Sequence, residues 1–298
     1  MPHITANGVG IEYEEFGPNF GTPFLLISGY TGQMINWPMS FIEGLVDEGF
    51  RVIRFDNRDI GLSQQFDDKG IPDLKKVVEG LQDGTATDHA PYTLEDMAAD
   101  AAGLLDALNA KPAIVMGVSM GGMITQLLAL NHPDAVKAII PTMTWSSDPA
   151  LERSTPEAQA MLTERPNPPS RANIIQNAIK ANRVFGSGIS LQDDDAALAE
   201  KAGAAYDRAY RPAGAARQYA AILAQPLWHE RLSEVRAPTL VLHGERDTLI
   251  LPHCGRDVAA RIPNASFMEI PDWGHDLPAR AVPVVLGHVI PFAKQYAG

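Results

Sequence analysis

A serine flanked by glycines, at the junction of a predicted strand and a predicted helix, constrains the fold more than any other feature of the chain. The motif is Gly117-Val118-Ser119-Met120-Gly121, with an apolar run before it at 113–116 and a helix-like run after it at 122–129. Such a motif needs glycine on both sides, because the serine lies on a strained turn where a Cβ two residues away collides with backbone. The turn exposes the serine Oγ at the end of a sheet, so Ser119 is a candidate nucleophile.

Short apolar runs alternate with helical patterns along most of the chain, which predicts a mainly parallel sheet with crossover helices. Asn7-Gly8 separates two short runs near the N-terminus and predicts an antiparallel hairpin. The helix before Ser119 has Thr93 as N-cap, Asp96 three residues later, and an apolar stripe from Leu94 to Leu108. The eight predicted strands lie at 3–6, 9–16, 24–27, 52–55, 113–116, 136–140, 239–242 and 266–270.

A segment between two of these strands reads differently. Residues 146–226 contain no convincing strand but do contain Ala-rich helical patterns and a Pro-rich stretch at 166–169. We interpret this segment as a helical cap inserted into the sheet domain. The core domain would then comprise residues 1–145 and 227–298, with approximate boundaries.

Composition excludes several classes of function. The chain has 298 residues, of which 45% are hydrophobic, and a formal net charge of -12, which argues against nucleic-acid or anionic-membrane partners. The N-terminus has no signal-peptide pattern, and no apolar run is long enough to cross a membrane. The single cysteine, Cys254, fits a reducing compartment, so we expect a cytoplasmic protein.

Metal and cofactor sites have little support in the sequence. His229-Glu230 lacks the second histidine of a zinc-binding H-E-x-x-H motif, and His253 and Cys254 are adjacent instead of suitably spaced. Neither a phosphate-binding lysine loop nor a G-x-G-x-x-G motif occurs. We therefore expect no metal and no cofactor.

Two further residues are candidates to activate Ser119. A serine hydroxyl is a weak nucleophile at neutral pH and needs a neighbouring base, which a third group holds in the right tautomer. Asp247 follows the strand at 239–242, and His275 follows the strand at 266–270. The order Ser, Asp, His along the chain is that of one known class of serine hydrolase. Asp148, just after the sixth strand, is a rival for the acid, and Asp247 is favoured by its position at a strand end.

The whole chain resembles the α/β-hydrolases of the serine esterase type. The segments that carry the resemblance are 28–30, 56–63, 117–122, 242–247 and 273–275. Within that superfamily, the pattern Asp56-x-Arg58-Asp59-x-Gly61-x-Ser63 together with the serine motif is similar to the aclacinomycin methylesterase group, whose members cleave a carboxylic methyl ester. The resemblance implies an α/β-hydrolase fold, with a mostly parallel eight-stranded sheet, flanking helices and an inserted helical cap.

The resemblance also assigns an oxyanion hole. Its two donors would be the backbone N–H groups of Met120 and of Tyr30, where this chain has Ser28-Gly29 in place of the usual His-Gly. Arg58 and Asp59 are expected to pair with backbone or with each other and to fix the loop after the fourth strand. Five apolar residues are candidates for lining a substrate pocket: Trp37, Met123, Met143, Trp145 and Trp273.

The function predicted from these observations is carboxylic ester hydrolysis, through an acyl-enzyme, on small to medium esters. Ser119 is the nucleophile, His275 the base and Asp247 the residue that orients the base. Because an unperturbed histidine titrates near ~6.5, activity should rise between pH 6 and 8. Two alternatives stay open: C–C bond or lactone hydrolysis by the same triad, and a non-catalytic receptor that has kept the fold. The expected partner is a small-molecule ester, and the sequence does not indicate an oligomeric state.

Overall fold

A sheet of eight strands forms the centre of the computed structural model, which describes residues 2–297. The strands are β1 (His3–Ala6), β2 (Val9–Phe16), β3 (Pro23–Ile27), β4 (Arg51–Phe55), β5 (Ala113–Val118), β6 (Val136–Thr142), β7 (Leu240–Gly244) and β8 (Ser266–Ile270). Their order across the sheet is β1-β2-β4-β3-β5-β6-β7-β8. The first two strands run antiparallel to their neighbours, and the other pairs are parallel. The predicted fold class is confirmed.

Helices cover both faces of the sheet and follow the alternation predicted from the sequence. They are α1 (Met39–Asp47), α2 (Leu74–Asp83), α3 (Leu94–Ala107), α4 (Met120–Asn131), α5 (Pro156–Thr163), α6 (Arg171–Phe185), α7 (Asp195–Arg208), α8 (Pro212–Ala224), α9 (Pro252–Arg261) and α10 (Val282–Lys294). Thr93 and Asp96 form the predicted capping box at the start of α3. The predicted N-terminal hairpin is also present, with Asn7 and Gly8 both at positive φ and Ala6 paired with Val9.

The core lies on both faces of the central strands. Alternate side chains of β3 and β5 point to opposite faces, so Leu25 and Val115 pack with α3 and α4, while Leu26 and Met116 pack with α1 and α10. These four side chains have no exposed surface. Because helices cover both faces of the sheet, the central strands are apolar along their length. Polar side chains that could contact a substrate are therefore expected at the ends of the strands.

Four helices, α5 to α8, lie between β6 and β7, and no strand occurs among the described residues of that segment. They occupy the stretch 146–226, for which an inserted helical cap is predicted. Helix α8 contacts α2, and α6 packs against α7. The division into core and cap stays a prediction. This connection is the longest in the described chain, and it begins next to the serine turn, where Ser119 N donates to the Thr142 carbonyl.

A buried ion pair attaches α8 to the sheet domain. Arg217 donates two hydrogen bonds to the Asp59 carboxylate: its Nε lies 2.8 Å from Oδ2, and its Nη2 lies 2.7 Å from Oδ1. Tyr92 Oη also donates to Asp59, at 2.8 Å. The two charged side chains are 1% and 0% exposed. The neighbouring Arg58 pairs with Asp100 instead, at 2.6 Å. Arg58 and Asp59 do not pair with each other, but both bond to backbone as expected: Arg58 Nη2 donates to the Asp96 carbonyl at 3.3 Å, and Asp59 Oδ1 accepts from the Phe66 N–H at 2.8 Å.

Replacing Arg217 by methionine is expected to destabilise the protein by about 3–5 kcal/mol, because the Asp59 carboxylate would stay buried without its counter-charge. The measurement is the free energy of unfolding from urea titration. Arg246→Met is the matched control: Arg246 pairs with Asp272 at 3.4 Å with 59% of its side chain exposed, and should cost less than about 1 kcal/mol. Equal losses in the two variants would show that the buried pair does not attach the helix.

Candidate active site

The turn that carries Ser119 has the strained geometry predicted from its glycines. Ser119 has φ 56° and ψ −120°, and it is the residue between β5 and α4. A Cβ added at Gly117 would lie 2.1 Å from the Gly121 carbonyl oxygen, and one added at Gly121 would lie 2.2 Å from the Ile27 carbonyl oxygen. Ser119 N donates to the Thr142 carbonyl at 3.0 Å. The surrounding backbone thus holds the serine in a backbone conformation that residues other than glycine rarely adopt.

Asp247 and His275 lie together at the ends of β7 and β8. His275 Nδ1 is 2.7 Å from Asp247 Oδ2, and Asp247 is completely buried. The other carboxylate oxygen accepts from the backbone N–H groups of Leu249 and Ile250, each at 2.9 Å. Burial opposes ionisation of Asp247, but the charge of His275 and hydrogen bonds from His243 and His275 outweigh it, so the pKa of Asp247 lies below its usual value. The site therefore holds a charged carboxylate against an imidazole.

The rival acid, Asp148, has other partners. Asp148 Oδ2 is 2.5 Å from Arg261 Nη2, and its Oδ1 accepts from the Ala150 N–H at 2.9 Å. His243 lies on the other side of Asp247, where its Nε2 is 2.8 Å from the Ile250 carbonyl and 3.4 Å from Asp247 Oδ2. Asp247 is thus fixed by two histidines and two backbone amides, whereas Asp148 forms an ion pair with an arginine of α9.

Helix α6 contributes to the position of the histidine loop. His275 N donates to the Phe185 carbonyl at 2.6 Å, and the Phe185 ring stands edge-on to the imidazole. The next residue, Asp276, accepts from Ser187 Oγ at 2.5 Å and from Asn182 Nδ2 at 2.7 Å. Nothing in the sequence indicates these contacts, because no local pattern marks a residue of α6 whose carbonyl accepts from a loop 90 residues later.

Ser119 and His275 line one cavity of about 610 Å³, whose lining also includes residues of α6 and α7. No hydrogen bond joins Ser119 Oγ to His275 within residues 2–297. Such bonds are often long without substrate and shorten when it binds. Trp37 and Met143, two of the predicted pocket residues, line the same cavity. The Trp37 indole also donates to Ser28 Oγ, at 3.1 Å.

The two predicted oxyanion donors lie beside Ser119. Tyr30 lines the cavity with Ser119, and Met120 is the first residue of α4. Neither N–H donates to another group within the described chain. The start of α4 adds a partial positive charge there. The Gly29 backbone approaches the serine so closely that an added Cβ would lie 3.1 Å from Ser119 Cβ. The predicted nucleophile therefore lies next to the start of a helix and near two backbone N–H groups that have no acceptor within the described chain.

Three of the predicted pocket residues do not line this cavity. Met123 lines a second, smaller pocket of about 40 Å³ that also reaches Ser119. Trp273 is fully buried in the core, and its Nε1 donates to the Asp276 carbonyl at 2.7 Å. Trp145 stacks under the Arg153 guanidinium at 5.3 Å. Neither tryptophan lines either pocket. Trp273 packs in the core and Trp145 is partly buried, so nothing in the structure supports their assignment to the substrate pocket.

No group of three or more histidine, cysteine, aspartate or glutamate side chains within residues 2–297 could hold a metal ion. The same residues include no helix that is long and apolar enough to cross a membrane.

Comparison with known proteins identifies the family. A family model described as alpha/beta hydrolase fold matches residues 22–279. The chain belongs to the alpha/beta-hydrolase family. This hydrolase is 25% identical to the rhodomycin D methylesterase DauP of a Streptomyces strain, over 92% of each chain, and the predicted resemblance to methylesterases is confirmed.

Solved structures agree on the fold. The enol-lactonase of Burkholderia xenovorans superimposes with a TM-score of 0.75 at 23% identity, covering 98% of this chain and 100% of that one. A meta-cleavage product hydrolase of Pseudomonas fluorescens also gives 0.75, at 18% identity, covering 99% of this chain and 98% of the other.

Proposed function

We propose that this hydrolase cleaves carboxylic esters of small to medium size through an acyl-enzyme on Ser119. The observation that carries the proposal is the 2.7 Å hydrogen bond between buried Asp247 and His275, whose imidazole lines the same cavity as Ser119. The relative named a methylesterase supports ester hydrolysis as the reaction, because that name specifies cleavage of an ester bond. We further propose that the substrate is a small molecule and that the reaction needs no cofactor.

The first half of the reaction forms the acyl-enzyme. His275 Nε2 takes the Ser119 proton while Oγ attacks the ester carbonyl carbon, and Asp247 keeps the Nδ1 proton in place for this tautomer. The carbonyl oxygen becomes an oxyanion, to which the N–H groups of Tyr30 and Met120 donate. One such donor is typically worth about 2.7–4 kcal/mol of barrier. His275 then gives its proton to the leaving alkoxide, and the alcohol departs.

The second half releases the acid. His275 removes a proton from water, the hydroxide attacks the acyl carbonyl carbon, and the Ser119–acyl bond breaks as the proton returns to Oγ. The products are one alcohol and one carboxylic acid per ester and water. The cavity of about 610 Å³ provides room for a small-molecule substrate next to the serine.

A substrate panel tests the proposal. The purified enzyme is incubated with nitrophenyl esters of increasing acyl length, with lactones, and with vinylogous diketones that report C–C cleavage. The expected result is turnover of the esters with a kcat/KM at least tenfold above the other two classes. Preferential cleavage of a lactone or of a C–C bond would replace the proposed reaction by one of the alternatives that use the same triad. Labelling by a fluorophosphonate with no turnover of any class would favour a receptor.

A further inference from the structure

Two pockets of very different size meet at Ser119. The cavity of about 610 Å³ includes His275 in its lining, whereas the pocket of about 40 Å³ includes Ser119, Tyr30 and Met120 but not His275. The small pocket is therefore lined by the predicted nucleophile and by both residues whose N–H groups are the predicted oxyanion donors, but not by the predicted base.

This asymmetry assigns the two halves of an ester. In the proposed reaction His275 protonates the leaving alcohol, so the alcohol oxygen must depart on the side where the imidazole lies, which is the large cavity. The acyl substituent, on the opposite side of the carbonyl carbon, then points into the small pocket. Since about 10–15 Å³ holds one water, 40 Å³ holds only a few non-hydrogen atoms. The pocket thus fits a short acyl group.

Arg153 is the one charged residue in the lining of the small pocket. The other lining residues are Tyr30, Ser119, Met120, Met123, Leu162, Tyr219, Ile222, Leu249 and Ile250. Arg153 Nη2 donates to Gln159 Oε1 at 2.9 Å, and Gln159 Nε2 donates to Tyr219 Oη at 3.2 Å. These two bonds fix the arginine and the tyrosine along one wall.

The Arg153 guanidinium is half-buried, yet it forms no ion pair with any residue from 2 to 297. Buried or half-buried arginines in this protein otherwise have carboxylate partners, as Arg58 and Arg217 do. None of the unpaired Arg153 nitrogens is sealed from solvent, so its remaining N–H groups can reach a ligand. A guanidinium recognises a carboxylate particularly well, because its N–H groups form a planar fork.

We propose that the small pocket takes the acyl half of the substrate and that Arg153 binds a carboxylate at the end of that acyl group. The preferred substrates are then half-esters of short dicarboxylic acids with a larger alcohol. This inference rests on the proposed ester hydrolysis and adds to it the orientation of the substrate and the charge of its acyl group.

Four esters test orientation and charge separately. Benzyl acetate and methyl phenylacetate are isomers with the ester reversed, and the wild-type enzyme is expected to hydrolyse benzyl acetate with at least tenfold higher kcat/KM. Benzyl hydrogen malonate and benzyl 3-methylbutanoate have acyl groups of similar shape, but only the malonate is charged. The wild-type enzyme is expected to prefer the malonate, and 0.5 M NaCl should reduce that preference.

The variant Arg153→Met should lower kcat/KM for benzyl hydrogen malonate by about 10- to 100-fold, and that for benzyl 3-methylbutanoate by less than about threefold. Arg153→Lys keeps the charge without the fork and should give an intermediate loss. Arg236→Met, at an exposed arginine outside both pockets, controls for the change in net charge and should leave all four values unchanged.

Each contrary result identifies what has failed. Faster hydrolysis of methyl phenylacetate would overturn the placement of the acyl group. A wild-type enzyme without preference for the malonate, or an Arg153→Met variant that affects both benzyl esters equally, would overturn the carboxylate site. Both results leave ester hydrolysis intact. Hydrolysis of none of the four esters, in an enzyme that also fails on nitrophenyl esters, would instead refute the proposed function and this inference with it.

Discussion

Ser119→Ala is expected to lower kcat for ester hydrolysis by about 10⁵- to 10⁶-fold, because it removes the atom that attacks the ester. Fold stability should not fall. Ser119 Oγ makes no hydrogen bond within residues 2–297, and alanine keeps the Cβ that already tolerates φ 56°. The measurement is steady-state hydrolysis of the best ester from the panel, with thermal unfolding of both proteins as the control.

Two outcomes would contradict this account of Ser119. A variant that keeps more than about 1% of wild-type kcat would show that another group attacks the ester. A variant that loses activity together with several degrees of melting temperature would show that the serine is needed for folding of the turn, and its chemical role would need a different proof.

Asp247→Asn is expected to lower kcat by about 10⁴-fold while the fold is maintained. The asparagine oxygen can still accept from the Leu249 and Ile250 amides, which hold the aspartate now. Its amide nitrogen, however, would donate to His275 Nδ1 and force the proton onto Nε2, so the imidazole could no longer accept the Ser119 proton. The measurement is kcat at pH 7–8 for the same ester.

Asp148→Asn is the matched control, because it makes the same change in charge at the rival acid. Asp148 pairs with Arg261 and not with either histidine of the site, so this variant should keep kcat within about threefold of wild type. A large loss in Asp148→Asn with little loss in Asp247→Asn would reverse the assignment of the acid.

Local sequence patterns predicted the elements that depend on neighbouring residues. The glycines around Ser119, the Asn7-Gly8 turn and the Thr93–Asp96 capping box each act within a few residues, and the structure contains all three. The proximity of Asp247 and His275 is also predictable, because the carboxyl ends of parallel strands lie at the same edge of the sheet. That holds for any arrangement of the connecting helices.

Contacts between side chains that are distant in sequence could not be predicted in this way. Arg217 lies 158 residues from Asp59, and nothing local to either indicates the ion pair. Trp273 precedes His275 by two residues, yet it points into the core while the imidazole lines the cavity. Arg153 reaches the small pocket only because the segment after β6 folds back beside α8. These positions depend on tertiary packing, which local patterns in a single sequence do not predict.

Peptide-level mass spectrometry after reaction with a fluorophosphonate tests directly whether Ser119 is the nucleophile. We expect one covalent phosphonyl adduct per chain, located on the peptide that contains Ser119. The adduct should be absent from Ser119→Ala and should form far more slowly in His275→Ala, which lacks the base. A folded wild-type enzyme that hydrolyses esters but gives no adduct on Ser119, or gives one on another residue, would contradict the proposed mechanism.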